Sequence, residues 1–263
     1  MKKRNDQNAI VKRAVLVFIL MFLVLLAALA FFTRSIVMRE QLKASYTAEA
    51  TVANVEAQLN RYLAESELLK SIVESGYEIS DSDFAALSKL MYDEDGIIKA
   101  VELAPNGVVR SVYPKASNAD VLGLNMLRHP ERKVEANLAK ESGQYTIAGP
   151  FQLVQGGTGA LLFDPIYTTG ADGSQKYWGF SVLVLDWESF LDEIQINKLQ
   201  DASYEYLIWK EGHNGERIVI AQGDRPVGPN TLEVACAVPN DTWYFETVSY
   251  THLRAHETRS NLV

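Results

Sequence analysis

Read for its hydrophobic and polar positions, the chain opens on one unbroken apolar run. Ala14 to Phe32 are nineteen consecutive apolar residues with no charge among them. As a helix rising about 1.5 Å per residue they span roughly 28 Å, the hydrocarbon thickness of a bilayer. The run predicts a transmembrane helix. A cleaved signal peptide ending near Ala28-Leu29-Ala30 is the other reading, but the run exceeds the usual h-region of about 7–15 residues. Both readings export the rest of the chain. Met38 to Ser75 then holds no proline and no glycine. Its stripe runs Ala48, Val52, Val55, Leu59, Tyr62, Ser66, Leu69, Val73, in steps of four and three. That period of about 3.5 predicts one helix of about 35 residues, continuing from the membrane and stopped by Gly76. A helix that long leaves surplus stripe on one small domain. Val52, Val55, Leu59, Tyr62 and Leu69 are therefore expected to serve in part as a dimer seam, with packing on the chain's own domain as the alternative.

From Ile79 onward the pattern shortens. Ser80-Asp81-Ser82-Asp83 predicts a capped helix through Met91, and Asp93-Glu94-Asp95-Gly96 a turn. Strands are predicted over Ile97–Leu103 and Val108–Tyr113, joined by a tight turn at Pro105-Asn106-Gly107. Pro130–Ser142 reads as a helix that Gly143 stops. Strands follow over Tyr145–Val154, Ala160–Thr168 and Lys176–Asp186. Two strands, a helix and a three-strand meander make the order of a PAS-like sensor domain, an antiparallel sheet with helices on one face. Trp187–Gln195 reads as a helix. Tyr204–Lys210, Arg217–Gln222, Leu232–Val238 and Trp243–Val248 read as the strands of a second, smaller unit. The expected fold is α+β: an N-terminal transmembrane helix, a long stalk helix and two PAS-like antiparallel-sheet subdomains. The limits are residues 1–13 for a cytoplasmic N-terminus, 14–32 for the membrane helix and 33–76 for the stalk. Residues 77–186 form the membrane-distal subdomain, 187–248 an incomplete membrane-proximal one, and 249–263 a tail of different character.

Composition narrows the function. Among 263 residues, 48% are hydrophobic and 22% charged, which excludes disorder throughout. A mean hydropathy of -0.06 excludes a multi-pass membrane protein. The net charge of -8 argues against a nucleic-acid partner, which needs a basic face. A single cysteine, Cys236, excludes an intrachain disulfide and any multi-cysteine metal site. Lys2, Lys3, Arg4, Lys12 and Arg13 precede the apolar run, against Arg34, Arg39 and Lys43 after it. The richer basic side predicts a cytoplasmic N-terminus, with residues after 33 in the periplasm or outside. Between Arg34 and Thr247 acids outnumber bases, which keeps the exported part off anionic headgroups.

Four segments carry a family resemblance. They are Ala104-Pro105-Asn106-Gly107-Val108-Val109-Arg110-Ser111-Val112-Tyr113-Pro114, Leu122-Gly123-Leu124-Asn125, Gly149-Pro150-Phe151-Gln152-Leu153-Val154-Gln155-Gly156-Gly157 and Asp164-Pro165-Ile166-Tyr167. In that order and at those gaps, the stretch from Tyr77 to Val184 resembles the CHASE domain, an extracellular sensory domain associated with cyclases and histidine kinases. The resemblance implies a ligand-sensing domain with a long leading helix and two PAS-like subdomains. It also implies a membrane helix on each side and a cytoplasmic output module, often a diguanylate cyclase or histidine kinase. The sequence departs from this in having no second apolar run, no output module and no kinase or second-messenger motif. Ser249 to Thr258 resembles translated sequencing-adapter sequence, so the natural chain is expected to continue differently after Val248.

In the plant cytokinin-receptor branch of that family, an Asp near the helix and a Thr on a strand read an adenine-like ring. The resemblance places Arg132 and Phe163 at those positions. An acid has become a base and a hydroxyl a ring, so cytokinin is a poor fit. Arg132 pointing inward favours an anionic small molecule through a charge-assisted pair; pointing outward it is a solvated helix residue. Phe151, Val154, Leu161 and Phe163 lie on neighbouring strands, with Leu161 and Phe163 on one face. Tyr113 and Asn125 supply polar tips near them. These seven are the candidate ligand-binding residues, and the apolar ones are core residues first. Gln155 to Gly159 reads as a hairpin turn, since it joins two strands and lacks the Lys-Ser/Thr of a phosphate loop. His129 has no partner at catalytic spacing, and His213 sits in a polar loop. His252 and His256 are spaced for a metal on a helix, but lie in the atypical tail. No G-x-S-x-G or H-E-x-x-H occurs, so no catalytic residue, metal or cofactor is expected. The expected partners are a small-molecule ligand, the membrane and a second copy of the chain. An exported assembly protein built on the long helix, without ligand, is the alternative.

Overall fold

The computed structural model describes residues 2–92, 96–196, 198–199, 204–212, 214–227 and 231–249. The acidic turn at Asp93–Asp95, His213, and the tail from Tyr250 with its His252 and His256 lie outside them. The chain divides into two compact units, residues 1–46 and 47–263. Helix α1 (Lys2–Glu74) makes up the first and opens the second. In the first unit every large apolar side chain from Val15 to Phe32 is exposed. An 18-residue stretch has a mean hydropathy of 3.2, so this helix is long and apolar enough to cross a membrane.

In the second unit α1 ends where the stripe predicts, and Gly76 follows at φ +83°, a conformation glycine adopts without strain. Ser80 caps α2 (Asp81–Met91) by accepting the Asp83 N–H. Five strands follow: β1 (Ile98–Pro105), β2 (Ser111–Tyr113), β3 (Thr146–Gln152), β4 (Thr158–Thr169) and β5 (Gln175–Asp186). Between β2 and β3 lie the short α3 (Lys115–Asn118) and α4 (Lys133–Ser142), which Gly143 ends at φ +70°. The antiparallel sheet has the order β2-β1-β5-β4-β3, in which the last three strands form the predicted meander. Helix α5 (Trp187–Glu193) leads to the second antiparallel sheet, of β6 (Tyr204–Glu211), β7 (Arg217–Gln222), β8 (Leu232–Val238) and β9 (Asp241–Ser249), in the order β7-β6-β9-β8. Trp187 meets Trp243 of β9 edge-on at 5.9 Å, tying α5 to this sheet.

Two predicted elements begin three residues later than expected. β2 begins at Ser111 because the residues before it bond elsewhere. Val108 bridges Asn125, Val109 N–H donates to Leu124 O at 3.0 Å, and Gly123 N–H donates to Val109 O at 2.8 Å. Helix α4 begins at Lys133 because His129-Pro130-Glu131 forms a turn, with His129 O accepting from the N–H groups of Arg132 and Lys133.

The stripe on α1 is the larger correction. Val52, Val55, Leu59, Tyr62 and Leu69 are all buried within the single chain, as are Ala48, Ser66 and Val73. They do not form a free dimer seam. From Ala48 to Val73 the helix runs about 39 Å, and it is shared between two sheets instead of lying on one. Near its start Val52 O accepts from Cys236 Sγ, and Glu56 accepts from the Ala237 N–H, both of β8. Further along, Ser66 and Lys70 reach β4.

Candidate functional site

The site is built on the face of the five-stranded sheet turned away from α1. Cross-strand pairing sets which residues share that face. Val112 of β2 pairs with Glu102 of β1, Glu102 with Val182 of β5, and Val182 with Phe163 of β4. A row of side chains therefore runs across β2, β1, β5 and β4, apolar except for Glu102. Above it lie Ala136 and Ala139 of α4 together with Val121 and Met126, and all but Glu102 belong to one buried cluster.

Arg132 enters this layer from the residue that precedes α4. It stands four positions before Ala136 and seven before Ala139, so it shares their inward helix face. It is 1% exposed. Its guanidinium lies 5.4 Å from the centre of the Phe151 ring, and Nη1 donates a long contact to Met126 Sδ at 3.9 Å. Nε has no hydrogen-bond partner. Glu102 is also 1% exposed, and its Oε2 has no partner. Each feels the other's charge, yet no contact within 4.0 Å joins them as an ion pair. Burial pushes the Glu102 carboxyl up from 4.5 to about 7, with Arg132 pulling it partway back. Burial lowers the Arg132 pKa, against the opposing pull of Glu102 and Glu131. Two buried side-chain oxygens, Asn125 Oδ1 and Tyr177 Oη, also lack partners.

The structure brings Arg132, Phe151, Leu161 and Phe163 together in this layer, with Asn125 in the loop beside it. It does not bring in the other two candidates. Tyr113 follows Val112 on β2 and so faces the opposite side. There it pairs with Val101 and meets the Tyr92 ring edge-on at 5.6 Å. Val154 is 44% exposed, because β3 ends at Gln152 and the chain turns. Leu153 is the residue buried there, held by its N–H to Gly157 O and its carbonyl from the Gly156 N–H. Glu102 was missed by sequence reasoning. Its signal was a single acid in the stretch from Ile97 to Ala104, which is otherwise apolar but for Lys99.

The opposite face holds a second polar contact. Asp164, next after Phe163 on β4, is fully buried and accepts from Ser66 Oγ at 3.0 Å and Lys70 Nζ at 2.9 Å. Burial raises its carboxyl pKa while Lys70 and Ser66 pull it down. β4 thus carries an apolar grip on one face and an ionic hold on α1 on the other.

The CHASE domain family matches residues 45–220, a span that holds α1's buried stripe, the first sheet, and both Arg132 and Glu102. The chain belongs to the CHASE family. Membership makes it an extracellular sensory domain. Among solved structures it resembles an extracellular ligand binding receptor from Desulfohalobium retbaense DSM5692, at a TM-score of 0.55 and 16% identity. That likeness, which is one of fold, covers 80% of this chain and 40% of the receptor, so the chain spans less than half of that protein's length. No curated protein matches it. Among the described residues no cluster of His, Cys, Asp and Glu could hold a metal ion.

Proposed function

We propose that this CHASE domain takes a small molecule between its first sheet and α4, and reports it along α1 towards the membrane. Arg132 carries the reading. A guanidinium this deeply buried, with a nitrogen left unpaired, costs free energy unless something pairs with it. A ligand presenting an anionic group supplies that partner through a charge-assisted hydrogen bond. The route out is β4. Consecutive residues point to opposite faces, so a ligand that repositions Phe163 acts directly on Asp164 and its hold on Ser66 and Lys70. Binding must favour one arrangement of that contact for a signal to result. The basic residues before the apolar run put the N-terminus in the cytoplasm and the sensory domain outside. The recipient of the signal is a cytoplasmic output module, of the diguanylate cyclase or histidine kinase kind that the family resemblance implies.

The test is thermal denaturation of the full chain in lipid nanodiscs against a metabolite panel of carboxylates, phosphates and amino acids. At a hundredfold excess over Kd a ligand stabilises by about 2.7 kcal/mol, which raises Tm by roughly 5–10 °C in a domain of this size. The expected result is such a shift in the wild type and its loss in Arg132→Gln. No shift from any compound, or equal shifts in both proteins, would end the reading.

A further inference from the structure

The ligand's charge pattern can be taken further, resting on the binding reading above. Glu102 and Arg132 are the two charged side chains of the layer between the sheet and α4, each 1% exposed and each with an unpaired polar atom. They lie close enough to act on each other, yet no ion pair joins them. Small residues flank both. Ala100 and Ala104 stand two positions either side of Glu102 on the same sheet face, and Ala136 stands one turn beyond Arg132. Each of these alanines brings only a methyl group to the layer beside the two charged side chains.

The four possible ligand charges have different consequences in this layer. A neutral ligand leaves Arg132, and Glu102 once it ionises, uncompensated. An anion compensates Arg132 but adds a second negative charge beside Glu102, and a cation does the reverse. A molecule carrying both charges compensates each group at once, and the layer stays neutral. The Phe151 ring lies beside the guanidinium, its centre 5.4 Å from the Arg132 Cζ. We propose that the ligand is a zwitterion of the amino-acid type, its carboxylate on Arg132 and its ammonium on Glu102. Glu102 is then a specificity residue, since it discriminates an amino acid from the carboxylic acid of the same shape.

The experiment is isothermal titration of the full chain in nanodiscs. The twenty L-amino acids are titrated first. Any that binds is compared with its two singly charged analogues, for example L-leucine against isocaproate and isoamylamine. The expected result is binding of at least one amino acid, with both analogues at least tenfold weaker. Glu102→Gln removes the advantage of the amino acid over the carboxylate, and Arg132→Gln removes its advantage over the amine. Should Arg132→Gln fail to fold, Arg132→Lys keeps a charge but loses the planar fork, and weakens the amino acid at least fivefold. A carboxylate that binds as tightly as its amino acid would overturn the proposal. So would an unchanged amino-acid affinity in Glu102→Gln. If no amino acid binds but another metabolite does and needs Arg132, the zwitterion is wrong and the sensory pocket stands. If nothing binds, both fail.

Discussion

At the residue scale the unusual group is Glu102. An ionised carboxylate in an apolar layer is costly, and burial accordingly holds its pKa near 7, above the ordinary 4.5. The native state keeps a proton there that the unfolded chain releases as pH rises past 4.5. Stability without ligand therefore falls as pH rises from about 4.5 to about 7. The full loss above that window is about 3 kcal/mol. Glu102→Gln cannot ionise, so its stability relative to wild type should rise by most of that amount between about pH 5 and pH 8. Urea denaturation of both proteins at the two pH values checks this, and parallel pH dependence would refute it. Asp164 is shifted in the same direction but is common to both proteins and cancels. The neighbouring residues show why this group was not legible. In sequence, Glu102 sits between Val101 and Leu103 in a strand apolar on both faces, where an acid reads as a surface residue. Only its pairing with Val112 and Val182 shows that it is buried. Tyr113 and Val154 were misplaced for a related reason. Face assignment along a strand depends on where the strand starts and stops, and the Val108–Asn125 bridge and the Leu153–Gly157 turn moved those limits.

At the scale of elements, α1 and β4 hold the signalling argument. The stripe from Ala48 to Val73 is buried by two sheets, so it is structural to the single chain. Leu59→Ala should cost about 2–5 kcal/mol of stability, as for other large-to-small core changes. It should leave the oligomeric state unchanged, as read by sedimentation; dissociation of an oligomer at constant monomer stability would restore the seam. This burial also removes the support for a ligand-free assembly protein built on that stripe. The hold of Asp164 on Ser66 and Lys70 makes a separate prediction. Asp164→Asn keeps the shape but weakens the contact to α1. Ligand affinity should change less than about threefold, since Asp164 faces away from the binding layer, while the ligand-induced displacement of the stalk should shrink. Spin-label distances between α1 and the second sheet, with and without ligand, measure it. An undiminished displacement would show that β4 is not the route.

At the scale of the whole molecule, orientation and exposure can be tested together. Cys236 is fully buried, and burial pushes its thiol pKa up to about 12. It should not react with a maleimide while the chain is folded, which leaves a clean background for introduced cysteines. Val154→Cys, on an exposed turn, should label in intact cells with a membrane-impermeant reagent. Lys12→Cys should label only after permeabilisation. The opposite pattern would invert the topology. Much of this molecule is set locally. The nineteen apolar residues define the membrane helix, the 3.5-residue period defines the stalk, and Ser80, Gly76 and Gly143 set helix ends. The four motifs define the family. Each of these rests on residues that are neighbours along the chain, whose backbone preferences and periodicity act before any tertiary contact forms. What covers the stripe, which strand face is inward and which charges are buried were decided only by the tertiary structure. Those properties depend on partners brought from distant positions, as Asp164 is brought to Ser66 and Val182 to Glu102, and a single strand or helix carries no record of the surface it will meet.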